Sequence, residues 1–438
     1  MPEPFNLDTL MQSFHPILDR LPDHRTGQNV TYTSKDAALS AFAVFFMHSP
    51  SFLAQQQTLQ RRPGRNTAQS LFGVTQIPSD NQIRNLLDPL PPELLFPLFG
   101  RGWQILEAAG ALTPFEVFVH QRWIAWEGTP YFSSQKIQCA ACSHRTAANG
   151  VTTYSHTVIT PVVVAPRQPH ALVLPPEFIT PQAGHDKQDG AQAAANRWLT
   201  QYAPALIPNP ITLWGDDRDC KQPFCELLLA QHFNFILVCK PDSPPTVYDW
   251  VDRLAAAGGV TRVTQRQWNG RFGELWTYRY VNDIPLRAGE GALRLNWCEL
   301  TITPELEGTS LYHKAFVTRH LISEATVAPI VAAGRTRGNI ENEGNHTLKT
   351  KGYHFEHNFG HGQQHLAAFL LTLILIAFLV HTVLDLLHLK YQQLRRALAA
   401  RHTFFDDLRA LTRYLVVTSW EQLLDFMIRE LELGPPPG

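Results

Sequence analysis

A chain of 438 residues has room for about three domains, or for one core carrying large insertions. Hydrophobic residues make up 44% and charged residues 17%, which excludes compositional disorder and predicts a packed core. A formal net charge of −1 excludes a globally basic nucleic-acid binder, so any DNA contact has to come from local basic patches. Six cysteines in a chain of this length do not form a disulfide framework. Cys220, Cys225, Cys239 and Cys298 read as scattered reduced thiols, and Cys139 and Cys142 form one CxxC pair. The N-terminus, MPEPFNLDTL, has neither a basic n-region nor an apolar h-region, so a cytoplasmic setting is expected.

Residues 1–112 are predicted to be helical. Ser34 caps a helix through DAALSAFAVFFMHS, and Ser79 with Gln82 gives an S-x-x-Q capping box opening IRNLLD. Pro91 and Pro92 precede another helix, through LLFPLFGRGWQILEAAG. Between the first two lies QRRPGRN, where Arg61, Arg62 and Arg65 flank Pro63 and Gly64. This reads as a polar basic loop suited to phosphate, or equally as an ordinary solvated turn.

Near Phe115 the period changes. Trp123 to Trp126 is a short apolar strand closed by Glu127 and Gly128. Residues 151–164 are rich in Thr, Val, Ile and Tyr and predict a long strand interrupted at Pro161. A short strand at 171–174, a helix over 187–202, a buried strand at 211–214, a helix over 223–232 and a strand over 233–238 follow. Such alternation predicts a mixed α/β sheet covered by helices, with acidic residues at the ends of its first and fourth strands. The first part of this core spans 113–241 and the second 321–390.

Between them, residues 242–320 read as a β-rich insertion whose clearest turn signal is Asn269-Gly270. Beyond Thr326 the chain turns helical, with Arg337, Glu341, Leu348 and Lys349 spaced to share one helical face and its shoulder. The run LAAFLLTLILIAFLV, residues 366–380, is shorter than the roughly 20 apolar residues of a membrane span, and His365 and His381 bound it. A fully buried core helix is the expected reading, with a membrane anchor as the alternative. Residues 391–438 complete the chain as a mixed-charge helical segment and tail.

Cleavage of a phosphodiester with Mg²⁺ calls for hard carboxylate oxygens gathered from distant positions around two ions about 3.5–4 Å apart. Glu127 and Asp216 lie at strand ends, and Glu341 lies on the later helix. Arg337 precedes Glu341 by about one helical turn, and Lys349 follows about two turns later. Each carboxylate also has a plainer reading: Glu127 as a turn residue, Asp216 as a helix cap, Glu341 as the i, i+4 partner of Arg337. Cys139 and Cys142, with His144 nearby, read either as half a zinc site or as a plain thiol pair. The segment HNFGHG, residues 357–362, reads as a substrate contact or as a turn before the buried helix. No P-loop, GxGxxG or GxSxG is present.

The stretch GRTRGNIENEGNHTLKTKGYHFEHNFGHG, residues 334–362, resembles the C-terminal signature of insertion-sequence transposases of the ISNCY-type group. It is similar to the wider Y-x2-R-x3-E-x6-K signature of DDE transposases, with Arg337 and Glu341 matching the R-x3-E portion. FFMHSPSFLAQQQTLQ and SLFGVTQIPSDNQIRNLLDPLPPELLFPLF resemble the group's N-terminal region. WIAWEGTPYFSSQKIQCAACSHR resembles its first catalytic segment and LWGDDRDCKQP its second. The resemblance covers nearly the whole chain. It implies an RNase H-like (retroviral-integrase-like) core and catalytic, metal-binding Glu127, Asp216 and Glu341 with Mg²⁺ or Mn²⁺. It also implies phosphate contacts from Arg337 and Lys349, with the N-terminal helices and Arg61, Arg62 and Arg65 at the terminal repeats. A homodimer on double-stranded DNA, terminal inverted repeats and target alike, in a bacterial nucleoid setting, goes with it. The chain departs from the pattern in carrying Glu127 where the family has Asp, Gly334 where the signature has Tyr, Gly338 after Arg337, and seven residues between Glu341 and Lys349. A transposase-derived DNA-binding protein with impaired catalysis is the alternative that Glu127 favours.

Overall fold

The computed structural model describes residues 5–25, 31–59, 62–117, 121–126, 128–166, 168–180, 190–201, 211–242, 244–306, 309–335, 346–356 and 359–435. Of residues 62, 63, 191, 192 and 218 it describes the backbone only. The architecture is mixed α/β. A helical body built from both ends of the chain packs against one end of a long mixed sheet, and a smaller antiparallel sheet stands beside it.

The helical body begins with α1 (Leu7–Leu18), α2 (Ser34–Phe46), α3 (Phe52–Leu59), α4 (Arg62–Phe72), α5 (Asp80–Leu87) and α6 (Phe96–Ala108). Ser34, expected to cap the second helix, is instead its first residue, its hydroxyl donating to the Pro22 carbonyl, and the cap is Thr33. Asn6 accepts from the Asp8 amide at 2.7 Å, Thr33 and Asp36 close a capping box on α2, and Ser79 caps α5 by accepting from Gln82 N–H. Asp36 also accepts from the Thr75 amide and hydroxyl, both at 3.0 Å, and so ties the loop after α4 back to α2. The basic stretch expected as a loop instead opens helix α4 at Arg62. Proline is tolerated at the second helical position because the first-turn amides have no intrahelical acceptor. Gly64 is needed there, since a Cβ would lie 2.0 Å from the Thr58 carbonyl oxygen.

At the centre lies the long apolar helix, α12 (Leu366–Leu387). It is long and apolar enough to cross a membrane, yet 89% of its most apolar window is buried inside the protein. Helices α2 and α6 and strand β6 (Leu172–Val173) pack on it. Its N-terminus is held by Asp88, whose carboxylate accepts from the amides of Gln363, Gln364 and Leu366. Helices α13 (Leu389–Ala397), α14 (Arg401–Tyr414) and α15 (Trp420–Glu430) close the body against α1 and α4. Buried Trp420 donates from its indole to the Leu71 carbonyl at 2.8 Å.

The sheet has nine strands in the order β10-β11-β12-β13-β9-β8-β1-β5-β6. Strands β1 (Arg122–Ala125), β5 (Val162–Val164) and β6 pair antiparallel in turn. Helix α7 (Ala191–Gln201) then leads to β8 (Ile211–Gly215), parallel to β1, and α8 (Gln222–Ala230) leads to β9 (Asn234–Cys239), parallel to β8. All three parallel strands are buried nearly throughout, as a sheet covered on both faces requires. Helix α9 (Pro245–Ala256), not expected from the sequence, precedes β10 (Thr261–Trp268), β11 (Gly273–Pro285), β12 (Arg294–Pro304) and β13 (Tyr312–Thr318). The β-rich region does not stand apart. Its last strand pairs antiparallel with β9, so it extends the same sheet. The β10–β11 hairpin turns at Asn269-Gly270, with Gly270 at φ +93°.

The strand predicted over 151–164 is interrupted as expected: β4 (Thr152–Ile159) and β5 flank Thr160 and Pro161. There the chain changes sheets. Strand β4 pairs with β2 (Gly128–Ser134), β3 (Ser143–Thr146) and β7 (Glu177–Ile179) in the smaller sheet. Helices α10 (Val327–Arg335) and α11 (His346–Thr350) complete the fold.

Candidate functional site

Strands β1, β8 and β9 run parallel, so their C-terminal ends share one sheet edge. Just past them come Trp126, Asp216 and Lys240. Asp216 caps a 3-10 turn over Asp217–Asp219, accepting from Asp217 N–H at 2.9 Å and donating its own N–H to the Asp219 carboxylate at 3.2 Å. Gly215 permits this fold-back, because a Cβ there would lie 2.7 Å from Leu237 and 2.8 Å from an Asp219 carboxylate oxygen. The strand ends are also cross-linked: Asp217 pairs with Lys240 at 3.0 Å, and Trp126 hydrogen-bonds Asp219.

The three aspartates differ. Burial, with help from the charges of Asp216 and Asp217, raises the pKa of Asp219 against the hydrogen bonds that favour its ionised form. For Asp217, burial is outweighed by Lys240 and by the hydrogen bond to Asp216, and its pKa is lowered. All three aspartates are engaged in holding the edge, Asp216 as the half-buried cap at the strand end; their carboxylates are hard oxygen donors, the kind that Mg²⁺ or Mn²⁺ favours.

Of the other expected site residues, Glu127, Glu341, Arg337 and Arg61 lie outside the described residues, and Arg62 is described only as backbone at the start of α4. Arg65 is exposed on α4. Helix α10 ends at Arg335, beside strand β8. The indole of Trp214, two residues before Asp216, donates to the Gly334 carbonyl at 3.0 Å. Gly334 itself sits against Phe316, whose ring atoms would lie 2.4–2.7 Å from an added Cβ, so this backbone leaves no room for a larger residue.

Lys349, on α11, lines a cleft of about 870 Å³ together with Lys351, Arg395, Arg401 and Arg409. His48, His354 and His402 lie beside them, and none of the described residues lining the cleft is acidic. Some of the charge is met from outside the lining: Lys349 pairs with Glu356 at 2.5 Å, and Arg401 approaches Asp385 at 3.9 Å. The cleft floor is a buried polar network. Tyr353 and His381 share a hydrogen bond of 2.6 Å, Arg401 donates to the Tyr353 hydroxyl at 3.0 Å, and His48 stacks on Phe405. Burial and the surrounding cations hold His48 and His381 well below the usual histidine range, so the floor adds no positive charge of its own.

A second cluster was only half visible in the sequence. Cys139 and Cys142 form a turn between β2 and β3, and the histidine that joins them is His156 of β4, not His144. His361, from the turn before α12, is the fourth member. Burial pushes the Cys142 thiol up to about 11 and holds His156 down to about 4. The signal for His156 and His361 was weak, since nineteen histidines are scattered along the chain and His361 lies 219 residues from Cys142.

Comparison of the chain with protein-family models and with curated proteins finds no match to either.

Proposed function

We propose that this chain is a DDE-type transposase of an insertion sequence, cutting and joining DNA at terminal inverted repeats on an RNase H-like core. The observation that carries the reading is the order β6-β5-β1-β8-β9, with β1, β8 and β9 parallel, β5 reversed, and Asp216 just past the fourth core strand in chain order. That is the arrangement expected of an RNase H-like sheet. The Trp214–Gly334 hydrogen bond is consistent with it, because it holds the end of helix α10 against strand β8.

In this reading Glu127, Asp216 and Glu341 hold Mg²⁺ or Mn²⁺, which supplies Lewis acidity to the reacting phosphodiester. Asp216 is oriented for the task by its hydrogen bond to the Asp217 amide. The basic cleft around Lys349 grips the sugar–phosphate backbone electrostatically, without reading sequence. Arg337 and the cations of α4, Arg65 among them, add contacts to the DNA ends.

Glu127 favours a second reading, a transposase-derived protein that binds DNA without cutting it. One extra methylene displaces a carboxylate by roughly an ångström on a fixed backbone, against a catalytic tolerance of roughly 0.5 Å. A strand-cleavage assay on duplex carrying the element's terminal repeats, with Mg²⁺ or Mn²⁺, separates the two. Cleavage that vanishes in Asp216→Ala supports the enzyme. Binding without cleavage, with cleavage gained in Glu127→Asp, supports the second reading. A chain that neither binds nor cuts such DNA overturns both.

A further inference from the structure

We propose that Cys139, Cys142, His156 and His361 form a structural zinc site, independent of the carboxylate edge and of whether the chain cuts DNA. The first argument is the shape of the donor set. Zinc bonded to thiolate at about 2.3 Å and to imidazole at about 2.05 Å in a regular tetrahedron spaces its donors in a fixed way. Sulfurs stand about 3.8 Å apart, sulfur and nitrogen about 3.6 Å, and two nitrogens about 3.3 Å. Here the two Sγ atoms are 3.8 Å apart, the sulfur–Nε2 distances are 3.6, 3.5 and 3.4 Å, and the two Nε2 atoms are 3.0 Å apart. The remaining pair, Cys139 and His361, lies within 4.8 Å. Five edges of the tetrahedron therefore fall within a few tenths of an ångström of a zinc complex.

Alternatives fit less well. A disulfide needs its sulfurs about 2.05 Å apart, far closer than 3.8 Å. Hard cations such as Mg²⁺ take oxygen ligands, and none of the four donors is an oxygen. Two sulfurs and two imidazole nitrogens at tetrahedral spacing are the donor set of a closed, four-coordinate zinc site. Two thiolates also cancel the dication, so a neutral complex is buried, and zinc binding releases the two thiol protons to solvent.

The surroundings orient the donors. His361 donates from Nδ1 to the Gly362 carbonyl at 2.9 Å, which leaves the Nε2 lone pair directed into the cluster. His156 is hydrogen-bonded to the Ala141 backbone, and the Cys139 amide donates to the Cys142 sulfur at 3.4 Å. Tyr131 stacks on the His156 ring and Phe132 packs on His361, their centroids 5.6 and 4.4 Å away. The role follows from what is joined. The cysteine turn and β4 belong to the smaller sheet, whereas His361 belongs to the turn that enters α12. Asp88 and Arg84 of the α5 region hold that same turn from the other side, Arg84 donating to the Phe359 carbonyl at 2.9 Å. The ion clips the smaller sheet to the helical body.

The test is metal analysis of the full chain purified without added metal, with X-ray absorption at the zinc edge. About one zinc per chain, in a shell of two sulfurs near 2.3 Å and two nitrogens near 2.05 Å, is the expected result. Cys142→Ser and His361→Ala should lose the ion, and His144→Ala should keep it. Folded wild-type protein without zinc, an oxygen and nitrogen shell lacking sulfur, a Cys139–Cys142 disulfide, or a Cys142→Ser protein that keeps its zinc would each overturn the proposal. Should the variants fail to fold, the wild-type spectrum decides.

Discussion

The carboxylate edge and the Cys/His cluster are opposites in chemistry and in construction. The edge offers hard oxygens and is built where parallel core strands end, so its anchor, Asp216, follows directly from where a buried strand stops. The cluster offers sulfur and nitrogen and is assembled from a local cysteine turn, a mid-strand histidine 14 residues on, and a histidine 219 residues away. Strand alternation exposes the first kind of site in a sequence. Only the closing of the fold exposes the second.

The difference can be broken or sharpened by experiment. The largest effect is expected from Asp216→Asn, which should reduce Mg²⁺-dependent strand cleavage on the order of a thousandfold in a single-turnover gel assay. Zinc content and melting temperature should stay unchanged. If both metals were lost together, the two sites would not be independent. Next, Cys142→Ser or prolonged chelation should lower the melting temperature by about 5 °C or more in calorimetry, with partial return on adding Zn²⁺ but not Mg²⁺.

A third test uses a carboxylate far in sequence from both sites. His388, with Lys390, holds the pKa of Glu421 down to about 2 against burial that would raise it. Its contribution is complete above about pH 4.5 and is lost as the pH falls through about 2. Glu421→Gln should therefore flatten the stability–pH curve in that window, by about 1–3 kcal/mol in urea unfolding. Acid sensitivity that persists in this variant belongs to other groups, the metal sites included. The smallest effect concerns the cleft: Lys351→Ala should weaken DNA binding about uniformly across sequences and reduce the slope of log K against log salt by about 1.

Much of the fold was legible because it rests on local patterns. Although the cap of α2 falls on Thr33, one residue before the Ser34 expected, the cap at Ser79, the break at Pro161, the Asn269-Gly270 turn and the buried run starting at Leu366 all carry their physics within a few residues. Three features did not. Pro63 and Gly64 look like a loop signal, but the first turn of a helix accepts proline, so α4 begins there. Helix α9 sits beside two prolines and a β-rich stretch that mask its period. The pairing of β13 with β9 depends on contacts some 80 residues apart, which no local window contains. In the candidate sites, Asp216 and Lys349 were marked by position at an element's end or face, whereas His156 looked like one more polar residue on a strand.

Helix α12 has a consequence for how the molecule is made. Its burial partners, α2 and α6, leave the ribosome hundreds of residues before it does, with their apolar faces uncovered. Those faces must wait, sheltered by chaperones or by transient collapse, until the last part of the chain emerges. Premature termination before residue 366 would leave them without this cover, so such truncated products are expected to aggregate rather than survive as partial folds.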